Sequence, residues 1–209
     1  ALERADSVTI DPHKLGYIPY PAGAILLRDR RARELVAVDP PYLAPAGERA
    51  ADRFIGRFIF EGSKPGAAAA SVWLSHKVLP LDERGYGYLI ERTVAGAHQL
   101  HTALGAADLT PFRAVPLPLP DINVVCFLLH HPGLAGLPAL NRFNEGVYRE
   151  LSLNRPGGPP EYIITRTRLT SPHYDGAIDP ILQQLGGIAR EAWQRDPGGL
   201  VVLRATVMD

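Results

Sequence analysis

Residues 7–28, SVTIDPHKLGYIPYPAGAILLR, constrain this chain more than any other stretch. A β-branched run, Val8-Thr9-Ile10, is halted by Pro12, and a second apolar run follows at residues 24–27. Between them lie Asp11, His13 and Lys14 and a turn punctuated by Gly16, Pro19, Pro21 and Gly23. β-Branched residues favour strands and proline ends them, so the stretch reads as strand, turn, strand. The polar cluster then stands at a strand end, where an α/β sheet holds its ligands. A lysine there is either a solvated loop residue or a partly desolvated amine whose lowered pKa lets it condense with a carbonyl.

Beyond this stretch, residues 29–36 start a polar-faced helix, and residues 39–51 form a Pro/Ala/Gly loop in which Pro40-Pro41 forbids a helix start. Residues 54–60 are apolar and aromatic and read as a short strand or extended segment. Glu61-Gly62-Ser63-Lys64-Pro65-Gly66 precedes a strong helical run at 67–79. Ser63 is either the N-cap of that helix or an anion ligand at its positive end. The spacing is not that of a phosphate-binding P-loop.

Residues 85–104 carry apolar side chains at three- and four-residue intervals and predict a long amphipathic helix. His98 and His101 lie on it without a further ligand cluster, so they read as surface or interface histidines and not as a metal site. From residue 112 onward short strands and helices alternate: strands at 122–129, 162–169 and 200–207, and a helix at 137–153. An antiparallel sheet with helices on one face is the economical arrangement.

Lys+Arg and Asp+Glu number 22 each, so nothing in the charge points to a nucleic acid or an anionic membrane. No apolar run approaches the length of a membrane span. The single cysteine, Cys126, excludes an internal disulfide framework, fits a cytoplasmic setting, and reads as a small buried hydrophobe.

One pattern is much longer than these local signals. Ser7-Val8, Lys14-Leu15-Gly16, Tyr20, Ala22, Ile25 and Arg28 resemble the lysine signature of the group II pyridoxal-phosphate-dependent amino-acid decarboxylases. Asp11-Pro12-His13-Lys14 and Tyr17-Ile18-Pro19-Tyr20 are most similar to the bacterial tyrosine decarboxylases. Glu61-Gly62-Ser63-Lys64, Ala69-Ala70-Ser71-Val72-Trp73, residues 76–81, Gly85-Tyr86-Gly87 and Val202-Leu203-Arg204-Ala205 also look like family segments, so the resemblance covers nearly the whole chain.

The resemblance implies an α/β fold of the fold-type I pyridoxal-phosphate-dependent transferases, like aspartate aminotransferase. Residues 1–104 would complete the cofactor-binding large domain, including the linking helix, and 105–209 would form a small C-terminal α/β domain. It implies decarboxylation of an L-amino acid, tyrosine-like, to its amine; the same scaffold acting on glutamate or another acidic amino acid is the alternative. Pyridoxal 5'-phosphate would be the cofactor, with Lys14 as its Schiff-base lysine and His13 and Ser63 at its phosphate. Tyr20 would return a proton to the reacting carbon as a general acid. Arg204 would bind the substrate carboxylate or form a structural ion pair, and Thr206, on the same strand face, would line the substrate pocket. Asp11, whose charge would repel a phosphate, is expected to cap a turn amide. The resemblance further implies a cytoplasmic homodimer with its site at the subunit interface, and a missing N-terminal half without which the piece is catalytically incomplete.

Overall fold

The computed structural model describes residues 2–38 and 55–208. The 39–51 loop lies outside the described residues. The chain divides into two compact units, Ala1–Tyr88 and Leu89–Asp209, and the division falls within one helix.

In the first unit, β1 (Ser7–Ile10) and β2 (Ala24–Leu27) form the expected antiparallel pair, with Ser7 opposite Leu27 and Ile10 opposite Ala24. Arg30–Val36 winds as a 3-10 helix whose N-cap Asp29 accepts from the Arg31 amide at 2.9 Å. Ile55–Phe58 is also a 3-10 helix, which corrects the extended segment expected there. Helix α1 (Ala67–Val78) begins after Gly66, with no side-chain cap. None of its residues is buried, and Trp73, Leu74 and Val78 stand 63%, 57% and 77% exposed. The buried apolar positions of the unit are Ile18, Ala22 and Tyr86.

Helix α2 (Tyr86–Ala106) continues into the second unit. There β3 (Arg113–Pro116), β4 (Val124–His130), β5 (Thr165–Leu169) and β6 (Leu200–Thr206) build an antiparallel sheet of order β3-β4-β6-β5. Helix α3 (Gly136–Glu150) packs on β4 and β6, and the short helices α4 (Asp179–Leu185) and α5 (Arg190–Arg195) complete the unit. Leu200 and Val202 join the main core with Leu128, Leu137, Leu140, Ile178 and Trp193, while Leu203 belongs to a second cluster with Phe127 and Ile164. Strand β6 is therefore covered on both faces, not on one as expected. Its unbroken apolar run Leu200–Leu203 is the pattern of a strand buried on both sides.

Two asparagines of α3 complete the sheet. The β4–β6 ladder runs from Val124 opposite Thr206 to Phe127 opposite Leu203 and ends there. Beyond it, the fully buried Asn144 accepts from the Leu129 amide (2.8 Å) and donates to the Leu129 carbonyl (2.9 Å). Asn141 likewise accepts from the Val201 amide (2.9 Å) and donates to the Gly199 carbonyl (2.8 Å). Backbone polar groups out of reach of water need such partners, and the two amides supply what the neighbouring strand would otherwise give. His98 and His101 also differ from expectation: each Nε2 donates to a carbonyl, of Pro120 (2.9 Å) and Leu117 (2.7 Å), tying the proline-rich link to α2.

Candidate active site

Lys14 sits one turn past β1. Its amide donates to the Asp11 carbonyl, Tyr17 donates back to the Lys14 carbonyl, and Ile18 donates to the Pro12 carbonyl, at 3.0, 3.0 and 3.1 Å. This double turn has no room for a side chain at Gly16, where a Cβ would come within 2.5 Å of the Pro12 oxygen. Tyr17 adopts a positive φ of 53°, uncommon for a residue other than glycine. The Gly16 carbonyl is held from outside by the buried Tyr86, whose hydroxyl donates to it at 2.9 Å. Tyr86 is itself fixed by its flanking glycines. A Cβ on Gly85 would lie 2.0 Å from the Pro80 oxygen, and one on Gly87 would lie 2.8 Å from the Asp82 oxygen.

On this turn the structure gathers three of the expected residues. The Lys14 side chain is exposed, and its Nζ donates to Asp11 Oδ2 at 2.7 Å. That bond, with the carboxylate charge behind it, raises the Lys14 pKa and lowers that of Asp11. Of the two readings of Lys14, the desolvated amine with a lowered pKa is not what this chain shows: Lys14 is an exposed, paired ammonium. Asp11 is likewise corrected from a turn cap to the lysine's counter-ion. The His13 ring stacks on Tyr20, with centroids 4.0 Å apart, and its Nδ1 bonds the Ala22 carbonyl. A carbonyl can only accept, so Nδ1 carries the proton, and only the doubly protonated ring could donate from Nε2. Tyr20 is 75% exposed, leaving its phenol open to a ligand.

Ser63 lies elsewhere in the first unit, in an open cleft of about 520 Å³ lined by Thr9, Gly23, Ile25, Glu61, Ser63 and Lys64 among others. Lys14, His13 and Tyr20 do not line it. Ser63 does not cap α1, because Gly66 holds the N-cap position. The cleft has two hydroxyl residues, Thr9 and Ser63, and one ammonium, Lys64, paired with Glu61 at 3.5 Å.

Arg204 and Thr206 lie on one face of β6 in the second unit, at the C-terminal end of the strand where both are exposed. Arg204 Nε donates to Thr165 Oγ1 at 3.0 Å, and Arg204 has no carboxylate partner among the described residues, so the structural ion pair is not what holds it. Cys126, opposite Arg204 in the ladder, is half-buried, and burial raises its thiol pKa. It packs as the expected small hydrophobe.

The family model described as tyrosine decarboxylase, C-terminal, matches residues 99–209. The chain belongs to this family. An L-tyrosine decarboxylase from Enterococcus faecalis is 39% identical over 217 residues, covering 100% of this chain and 34% of the relative. The chain therefore spans about a third of the length of the curated relatives it matches. Among solved structures, the glutamate decarboxylase domain of a diaminobutyrate-pyruvate transaminase and L-2,4-diaminobutyrate decarboxylase from Vibrio parahaemolyticus matches with a TM-score of 0.57 at 16% identity, over 100% of this chain and 31% of that one. Oryza sativa TDC with PLP and tryptamine matches with a TM-score of 0.55 at 17% identity, over 99% and 35%. The α/β, fold-type I architecture expected from the sequence is shared with these proteins.

A tyrosine decarboxylase family member of this kind would hold pyridoxal phosphate through an amine and an anion cradle, and the residues present fit that group. Lys14 supplies the amine on a turn whose glycine leaves no freedom, with the His13 ring beside it, and the Ser63–Lys64 cleft supplies hydroxyl and ammonium donors. Sequence reasoning missed Tyr86 as the anchor of the lysine turn, reading it as part of an amphipathic helix and of the Gly85-Tyr86-Gly87 family segment. The signal lay in its paired glycines, which mark close backbone approach.

Proposed function

We propose that this chain carries the cofactor lysine and the small domain of a pyridoxal-phosphate-dependent L-amino-acid decarboxylase acting on an aromatic, tyrosine-like substrate. The observation that carries the reading is the lysine turn, which brings Lys14, His13 and Tyr20 together on a backbone fixed by Gly16 and Tyr86. When bound, the cofactor supplies an electron sink for cleavage of the Cα–carboxylate bond.

The chain's own residues do the rest. Lys14 Nζ, once it has given up its proton and left Asp11, would hold the cofactor. His13, its ring steered by the Nδ1 bond to Ala22, would lie beside the phosphate. Tyr20 Oη returns a proton to the substrate Cα, and the stack on His13 holds its ring. Arg204, its Nε spent on Thr165, keeps two terminal nitrogens for the substrate carboxylate, with Thr206 beside it on the same face.

Residues 1–104 act in this reading as part of the large domain and 105–209 as the small one. Ser63 would meet the phosphate of the partner subunit, in a homodimer with its site at the subunit interface, a role supported by its lying in a cleft that Lys14 does not line. The exposed Trp73, Leu74 and Val78 of α1 support a further, N-terminal part of the polypeptide packing on the first unit. The single cysteine supports a cytoplasmic setting.

Substrate profiling of the full-length enzyme tests the function. Conversion of tyrosine to tyramine, with little turnover of glutamate or aspartate, is expected. Turnover of an acidic amino acid with none of tyrosine would overturn the aromatic assignment.

A further inference from the structure

The second unit holds a concentration of positive charge that the decarboxylase chemistry does not use. Arg142, Glu145 and Arg149 form one stripe of α3, at i, i+3 and i+7, and face Arg168 of the edge strand β5 across a cleft of about 490 Å³. Glu145 accepts from both Arg166 (3.0 Å) and Arg168 (2.7 Å). Arg168 also donates to the Gly198 carbonyl at 2.9 Å, and Arg166 lies over the Tyr148 ring, 4.7 Å from its centroid. Arg142 and Arg149 have no acidic partner among the described residues. Three guanidiniums, of Arg142, Arg149 and Arg168, thus line a cleft with a single carboxylate, which Arg166 pairs as well, in a chain whose overall net charge is zero.

We propose that this cleft is a binding site for a small ligand bearing a diphosphate group. Like charges gathered in a concavity with low-dielectric walls focus a field that draws in counter-ions. Here two of the guanidiniums are already fixed by Glu145, Gly198 and Tyr148, so their planar forks are ordered before any ligand arrives. Guanidinium forks match phosphate oxygens in pairs, and the volume lies in the range of small-molecule sites. Glu145 keeps the fixed pair from repelling each other, while Arg142 and Arg149 remain to meet the ligand. The cleft has guanidiniums on both α3 and β5, so a ligand with two phosphates can be met from both elements. The balanced charge of the chain as a whole disfavours a nucleic acid, which would want a broad basic face.

Calorimetric titration of the full chain with pyrophosphate, ADP, AMP and inorganic phosphate at low salt tests this. Pyrophosphate and ADP are expected to bind at least tenfold more tightly than AMP and phosphate. Preference for ADP over pyrophosphate assigns the diphosphate to a nucleotide, and the reverse assigns it to free diphosphate. The double variant Arg142→Gln/Arg149→Gln should lose at least tenfold in affinity with its circular dichroism unchanged. The exposed control Arg195→Gln should bind as the native chain does. No binding of pyrophosphate or ADP, equal loss in the control, or full affinity in Arg142→Lys/Arg149→Lys would overturn a guanidinium-built diphosphate site.

Discussion

Replacing Asn144 by leucine tests whether α3 completes the sheet. The side chain is fully buried and makes two bonds to the Leu129 backbone, at 2.8 and 2.9 Å, and one to the Leu140 carbonyl at 3.0 Å. Leucine has the same branched shape but is bulkier, so the change removes the bonds without opening a cavity, and any overpacking adds to the loss. The Leu140 carbonyl keeps its helical donor, but the amide and carbonyl of Leu129 lose theirs. Each unsatisfied group costs about 1–3 kcal/mol, or about 2–6 kcal/mol for the pair. Burial of the leucine returns about 1.5–3 kcal/mol. A net loss of about 2 kcal/mol corresponds to a fall of about 4–8 °C in Tm for a chain of this size. Differential scanning calorimetry reads that fall, and hydrogen exchange should show the Leu129 amide losing protection before the β4–β6 ladder does. A Tm within about 1 °C of the native value, with Leu129 equally protected, would refute the argument.

Three further perturbations address the lysine turn and the titratable core. Tyr86→Phe removes the hydroxyl that holds the Gly16 carbonyl and should cost about 1 kcal/mol, with faster exchange confined to residues 12–18; exchange unchanged there would show that Tyr86 does not anchor the turn. Asp11→Asn removes the main cause of the raised Lys14 pKa, so the pH profile of cofactor capture by Lys14 should move to lower pH. A profile that stays in place would mean that the pair seen here does not govern Lys14. His130 is buried, and desolvation, then the charges of Arg113 and His131, lower its pKa. The unfolded chain then binds more protons below its ordinary value of about 6.5, so stability present above that pH is lost as pH falls through the folded value. Thermal melts between neutral and mildly acidic pH should show that loss in the native chain and a smaller one in His130→Gln; parallel curves would contradict it.

The parts of the fold that were legible in the sequence are those whose physics is local. The lysine turn could be read because proline, glycine and β-branched residues impose their backbone wherever they occur, and Gly16 proves to be excluded from any substitution by the Pro12 carbonyl. The long helix α2 and strand β6 were likewise visible in their apolar spacing. Strand β3 was hidden by Pro116 and by the prolines that follow it, which argue against a strand although it sits at a sheet edge where a missing donor is tolerated. Asn141 and Asn144 looked like ordinary polar positions of an amphipathic helix, and only the end of the β4–β6 ladder reveals what they satisfy. The charge state of Lys14 stayed open for a similar reason: Asp11 Oδ2 reaches Nζ only because the turn closes on itself. Helices α4 and α5, of 7 and 6 residues, were too short to establish a period of their own.

The central claim, that Lys14 is the residue that holds the cofactor, has one direct measurement. The full-length enzyme is incubated with pyridoxal phosphate, reduced with borohydride, digested, and its modified peptide sequenced by mass spectrometry. The account predicts the pyridoxyl adduct on Lys14, lost in Lys14→Ala; an adduct on Lys64 or Lys77 with Lys14 unmodified would contradict it.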